Sequence, residues 1–127
     1  MMLKSWRMPY TKFFAHNMLQ KQTDDRAFRI KFTIRDESKE VARASLYVLF
    51  NDLHQEPYGL LEDVFVDEAY RGKGYGRELI HSVIEEAKVQ RCYKLIATSR
   101  VTRPEVHAMY EKYGFKNYGL EFRMDLK

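Results

Sequence analysis

A single cysteine, Cys92, in 127 residues excludes an internal disulfide framework and any multi-cysteine zinc site, and it fits a reducing compartment. Long apolar runs are also missing. The longest, Leu46 to Phe50, falls far short of the roughly 18 residues a bilayer-spanning helix needs, and the N-terminus has no secretory apolar core. The expectation is a cytoplasmic protein with no membrane partner. No shift of composition marks a linker, so residues 1–127 are expected to form one domain. The four histidines, His16, His54, His81 and His107, show no metal-ligand spacing, and no metal is expected. Lysines and arginines are scattered among acids with no basic run interleaved with aromatics, which argues against nucleic acid. The net charge of +4 favours polyanions as a class without choosing among them.

What is present organises the chain from Ala27 onward. Trp6, Tyr10, Phe13, Phe14, Met18 and Leu19 could line a short helix within residues 1–24, although Pro9 blurs the period. Phe28, Ile30, Phe32 and Ile34 alternate with Arg29, Lys31, Thr33 and Arg35, the pattern of a half-buried strand. Asp36 to Lys39 is a turn, and Val41 to Phe50 is expected to return antiparallel. Pro57 and Gly59 introduce a third strand at about Tyr58 to Val66. Leu79, Ile80, Val83, Ile84 and Ala87 recur at helical spacing opposite charged residues. Tyr93 to Thr98 suits a strand covered on both faces. Thr102 to Glu105 has capping-box spacing with proline in the first turn, Val106, Met109, Tyr110 and Tyr113 continue a helix, and Gly114 ends it. Phe115 to Tyr118 and Leu120 to Leu126 are expected as closing strands, the latter strictly alternating. The expected fold class is α+β.

Between the third strand and the first helix lies Arg71-Gly72-Lys73-Gly74-Tyr75-Gly76. A helix N-terminus carries unpaired amide donors and a partial positive charge, and glycines let that backbone close on phosphate oxygens. Two rival phosphate motifs fail. The dinucleotide pattern beginning at Gly72 would need glycine at Arg77, and the triphosphate pattern needs Gly-Lys-Ser/Thr. Glycines that merely make a tight strand-to-helix turn would leave the same spacing.

Val64 to Gly76 resembles the acetyl-coenzyme A motif of the GCN5-related N-acetyltransferases, with its core Gln/Arg-x-x-Gly-x-Gly/Ala, and Val106 to Phe115 is similar to that family's late helix followed by Tyr-x-Lys-x-Gly-Phe. The resemblance covers about Ala27 to Lys127. It implies a mixed sheet that splays open, with flanking helices and a cleft for acetyl-CoA as co-substrate. Leu61-Glu62-Asp63, Cys92 to Leu95 and Tyr113 to Glu121 resemble glucosamine-phosphate N-acetyltransferases, and Leu61-Glu62-Asp63 also resembles polyamine acetyltransferases. A small-molecule amine is thus the favoured acceptor. Such enzymes normally precede the hairpin with a strand and two helices that wall the acceptor site, whereas about 25 residues stand there in this chain.

The resemblance also implies site residues. The backbone of Val64, Phe65 and Val66 would bond the pantetheine arm, and Arg71, Gly72, Lys73, Gly74, Tyr75, Gly76 and Arg77 would hold the pyrophosphate. Tyr110 would be the general acid near the sulfur, although by position alone it could be a packed aromatic. An ammonium with a pKa near 10 must lose a proton before attack, and Glu62 and Asp63 are the candidate bases, each of which could instead be a structural ion pair. Strand alternation puts Glu62 on the face of Val64 and Val66, and Asp63 with Leu61 and Phe65. Where the family often has asparagine seven residues before the tyrosine, Arg103 stands, and that role is not carried over. Cys92 is expected to be a packed thiol, and transfer to be direct in a ternary complex. The competing readings are a non-catalytic coenzyme A-binding or regulatory module and a protein N-acetyltransferase. The alternating C-terminal strand offers an edge to a second copy, as in a homodimer.

Overall fold

The computed structural model describes residues 18–127, so the short helix expected within residues 1–24 lies largely outside the described residues. The elements are β1 (Phe28–Asp36), β2 (Lys39–Leu49), β3 (Tyr58–Val66), a single 3-10 turn (Glu68–Tyr70), α1 (Tyr75–Val89), β4 (Leu95–Ala97) and α2 (Pro104–Lys112). They build a four-stranded mixed sheet in the order β1-β2-β3-β4. The first two pairings are antiparallel and β3 runs parallel to β4. None of the described helices is long and apolar enough to cross a membrane.

The alternation read in β1 sets its register. Ile30, Phe32 and Ile34 lie opposite Leu46, Ala44 and Ala42, and directly paired residues point to one side of a sheet. That side meets α1, whose Leu79, Ile80, Val83 and Ala87 are buried. Ala42 and Ala44 are fully buried, and their small side chains let the helix lie close to the middle of the sheet. Each buried Leu, Ile or Val contributes roughly 1.5–3 kcal/mol, so this single interface carries most of the core.

β3 and β4 share only three register pairs, Gly59 with Leu95, Leu60 with Ile96 and Leu61 with Ala97. β3 runs on to Val66 while β4 stops. Among the described residues, the edge of Glu62 to Val66 facing away from β2 therefore has no strand partner, and the sheet is split there.

Three expectations need correction. The strand expected over Tyr93 to Thr98 is the shorter β4, half-buried along its length, because only β3 pairs with it. The capping box at Thr102 to Glu105 does not form: Arg103 is the N-cap without a side-chain cap bond, although proline does open the helix. The two closing strands are absent, since residues 115–127 carry no regular structure. Alternation needs a neighbouring strand to become a ladder, and none is supplied within the described chain.

Gly59 marks the tightest point. A Cβ there would sit 2.9 Å from both Leu46 Cδ1 and Leu95 Cδ1 and 3.5 Å from Cys92 Sγ. Gly59→Val should therefore destabilise the domain by about 1–3 kcal/mol through overpacking, read as a lower urea midpoint at unchanged slope. An unchanged midpoint would show that the β3–β4 junction is looser than these distances require.

Candidate active site

The split in the sheet begins at an irregularity in β3. Leu61 pairs with Leu46 and Glu62 with Ser45, but Phe65 pairs with Arg43 and Val66 with Ala42. Two residues, Asp63 and Val64, thus oppose the single Ala44, which is a β-bulge. Asp63 has φ 57°, a left-handed conformation that costs a non-glycine residue on the order of 1–2 kcal/mol. Its carboxylate is held by Arg43 in two bonds, Nε to Oδ2 at 2.9 Å and a terminal nitrogen to Oδ1 at 3.2 Å. Arg43 also lies 4.7 Å from the Phe65 ring centroid and bonds Glu40 at 3.5 Å. The hydrogen bonds from Arg43 hold the Asp63 carboxyl below its ordinary pKa, with Lys31 and Arg29 adding to the effect.

The bulge overturns the facing expected from simple alternation. Glu62 shares the side of Ser45, and Val66 shares the core side of Ala42, so Glu62 and Val66 point opposite ways. Asp63 and Phe65 both reach Arg43, on the side away from Leu61. One inserted residue reverses every facing beyond it. Val64 and Phe65 have exposed side chains, and their backbone lies along the unpaired edge.

The glycine loop follows directly. Asp67 Oδ1 accepts from the Ala69 N–H at 3.0 Å, and with Lys39 at 3.4 Å this holds the Asp67 carboxyl below its usual range. Tyr70 donates its hydroxyl to Asp36 Oδ2 and stacks on Tyr75, ring centroids 6.4 Å apart. Lys39 and Lys73 approach the Tyr70 ring at 5.7 and 5.4 Å. The loop is thereby fastened to the β1–β2 hairpin. Arg71 turns back and donates from Nε to the Val66 carbonyl at 2.9 Å.

Gly72 and Gly74 have φ 79° and 87°, and a Cβ on either would meet nothing within 4 Å. Conformation demands glycine there, and the space above the loop is open. Gly74 caps α1 without a side-chain bond, so the first-turn N–H groups face that space. The loop fits a diphosphate. A Cβ at Gly76 would only touch Val66 Cγ2 at an ordinary 3.8 Å.

Tyr110 comes from α2. It is partly buried against the core, and burial followed by the charge of Glu62 raises its pKa. Burial, with the negative charge of Glu62 adding to it, thus holds the phenol neutral. The end of α2 fixes that ring. Phe115 N–H bonds the Tyr110 carbonyl at 3.1 Å and Gly114 N–H bonds Glu111 at 3.0 Å, with Gly114 at φ 103°. This is a Schellman motif, and it seats Phe115 edge-on against Tyr110 at 5.3 Å. The Gly-Phe pair thus buttresses the tyrosine.

A groove of about 600 Å³ runs beside the start of α1, lined by Arg77, Glu105, Ala108, Met109, Lys112 and Tyr113. Arg77 was read from the sequence; the four α2 residues and the C-cap Tyr113 were not assigned to a site. Their spacing marks one helix face, but nothing local distinguishes that face from plain surface. A second concavity of about 370 Å³ lies where β1 begins and α1 ends, between Phe28, Phe50 and Arg91; no candidate site residue lines it. Cys92 is half-buried, and burial pushes its thiol pKa up. His107 is tied to the Arg100 carbonyl at 2.7 Å, and His54 stacks on Tyr93 at 4.0 Å.

A mixed sheet split beside a glycine-capped helix defines the acetyltransferase type of α+β fold. Residues 1–115 match the model of the acetyltransferase (GNAT) family, and the chain belongs to that family. It is similar to a glucosamine 6-phosphate N-acetyltransferase of Trypanosoma brucei brucei, 41% identical over 69 residues that cover 54% of this chain and 44% of the relative. Among solved structures, a putative acetyltransferase from Agrobacterium tumefaciens superposes with TM-score 0.70 at 35% identity, covering 76% of this chain and 68% of that one. The glucosamine-6-phosphate N-acetyltransferase of Arabidopsis thaliana also gives 0.70, at 26% identity, covering 78% and 67%. The matched stretches span 33% to 53% of the length of the glucosamine-phosphate relatives.

The Arg43–Asp63 pair gives a pH test. The folded-state pKa of Asp63 is depressed, so its contribution is full above the ordinary aspartate value, about 4, and is lost as pH falls through the folded value. Arg43→Met should melt only slightly below the parent at neutral pH, since the pair is largely exposed and screened by solvent. The gap should narrow once pH drops below about 4. A gap independent of pH would assign the loss to packing on Phe65.

Proposed function

We propose that this chain is an acetyl-CoA-dependent N-acetyltransferase that acts on a small primary amine in a ternary complex, with an amino sugar phosphate the favoured acceptor. The observation that carries this reading is the open, glycine-capped start of α1 beside the edge of β3 that β4 leaves unpaired, with the half-buried Tyr110 of α2 held protonated by burial. Gly72 to Arg77 would hold the pyrophosphate and the edge of Val64 to Val66 the pantetheine arm, with Arg77 and Lys112 in the adjoining groove. The bound thioester supplies the activated acetyl group.

This chain's residues then handle protons. Glu62 takes one from the acceptor ammonium, directly or through water. Asp63 is the weaker candidate, because Arg43 engages both its oxygens and lowers its basicity. Tyr110, kept protonated by burial and by Glu62, donates from its hydroxyl to the departing sulfur. Register pairs put Arg29 opposite Tyr47, Lys31 opposite Ser45 and Ser45 opposite Glu62. Arg29, Lys31, Arg43 and Glu62 thus share the face away from α1, and that basic surface supports an anionic acceptor. The lone half-buried Cys92 supports a reducing, cytoplasmic setting. Partners on this reading are the amine and a second copy of the chain.

Free-thiol release from acetyl-CoA across amino sugar phosphates, unphosphorylated amino sugars, polyamines, amino acids and peptides tests the reading. Turnover on the phosphorylated sugars is expected; saturable acetyl-CoA binding without turnover on any acceptor would leave a coenzyme A-binding module. Tyr110→Phe should lower kcat on the order of 100-fold with little change in KM for acetyl-CoA, and an unchanged kcat removes it from the mechanism. Gly74→Val, strained at positive φ, should weaken acetyl-CoA binding roughly tenfold or more in calorimetry.

A further inference from the structure

Arg71 to Gly74 form a short arc between the 3-10 turn and α1. Gly72 and Gly74, at φ 79° and 87°, bring no side chain to fix its shape, and no side chain caps α1. The bond from Arg71 to the Val66 carbonyl holds only the entry. The rest of the arc must be shaped from its two ends, and both ends are tyrosines. Tyr70 closes the 3-10 turn and Tyr75 opens α1.

Their ring centroids lie 6.4 Å apart with the planes 23° from parallel, within the range of an offset stack. The stack therefore clasps the arc across its base. Each ring has its own anchorage. Tyr75 packs against the core, while the Tyr70 hydroxyl donates to Asp36 Oδ2 at the end of β1. Lys39 and Lys73 approach the Tyr70 ring at 5.7 and 5.4 Å, in cation–π range. Lys73 belongs to the arc itself, so the same ring holds the middle of the arc as well as its base.

The core makes no use of this ring. No residue of the turn Glu68–Tyr70 is buried, and Tyr70 is not among the residues packed on the core cluster. Each of the side-chain contacts above goes instead to the arc, to the start of α1 or to the β1–β2 hairpin. A tyrosine kept for packing would face the core.

We propose that Tyr70 is a positioning residue for cofactor binding: by stacking on Tyr75 and bonding Asp36 it sets the shape of the Arg71 to Gly74 arc, and acetyl-CoA affinity depends on it. This rests on the reading of the loop as the pyrophosphate site. Tyr70 acts through the loop and not on the reacting atoms, so it governs binding of the donor and leaves the chemical step alone.

Tyr70→Leu, which removes both stack and hydroxyl, should raise the acetyl-CoA dissociation constant roughly tenfold in calorimetry. Tyr70→Phe keeps the stack and loses only the bond to Asp36, so it should cost roughly threefold. With glucosamine 6-phosphate as acceptor, KM for acetyl-CoA should rise by the same factors while kcat holds. Affinity unchanged in Tyr70→Leu, or Tyr70→Phe no closer to the parent than Tyr70→Leu, overturns the proposal. A melting temperature that collapses in step with binding would assign the ring a purely structural role and overturn it too. A parent without acetyl-CoA affinity refutes the reading of the loop and not the clasp, which trypsin still decides. In the absence of ligand, Tyr70→Leu should be cut after Arg71 or Lys73 roughly tenfold faster than the parent, and equal rates overturn the clasp.

Discussion

One extra residue in β3 decides what the domain can do. Leu61 and Val66 both point into the core against α1, which strict alternation forbids for positions five apart in a strand. The bulge at Asp63 and Val64 absorbs the mismatch. It lets β3 begin and end as a core strand while Glu62 and Asp63 stand on the opposite face. It also coincides with the place where β4 stops, so backbone pairing ends where the facing reverses. The left-handed turn at Asp63 has a cost, which the two-toothed grip of Arg43 on its carboxylate offsets in part. Arg43 is bound in turn to Glu40 and packed on Phe65, so the bulge is locked from the neighbouring strand.

Much of this was legible in the sequence. The alternation of Phe28 to Ile34, the helical period from Leu79 to Ala87 and the Pro104 and Gly114 punctuation are local signals, and each appears where expected. The glycine segment was legible as a strand-to-helix turn, and the positive φ of Gly72 and Gly74 is what the structure adds. The bulge was not legible. Glu62-Asp63-Val64-Phe65 contains no glycine to announce it, and the residue that stabilises it lies on another strand, twenty positions earlier. The facing of the two carboxylates was therefore inverted in part. The expected closing strands show the opposite failure, in which a strong local pattern exists but its pairing partner is not in the same part of the chain.

Tyr110 illustrates how the two motifs depend on each other. Its identity came from resemblance, yet its state comes from three separate pieces of chain. α2 buries the ring, β3 brings the charge of Glu62, and the glycine-terminated turn presses Phe115 against it. Burial and a neighbouring negative charge both favour the neutral phenol. That neutral state is the one the proposed role of proton donor requires.

The fastening of the glycine loop to the β1–β2 hairpin has a consequence for how a ligand would be received. Tyr70 on Asp36 and Lys39 on Asp67 hold the loop in shape before anything arrives, so little ordering entropy remains to be lost on association. On the proposed reading, docking there would be insertion into a finished socket. The same struts make the hairpin turn a remote control on residence time: a change at Asp36 or Lys39, more than thirty residues from the glycines in sequence in the case of Lys39 and Gly72, would let the socket loosen without touching its rim.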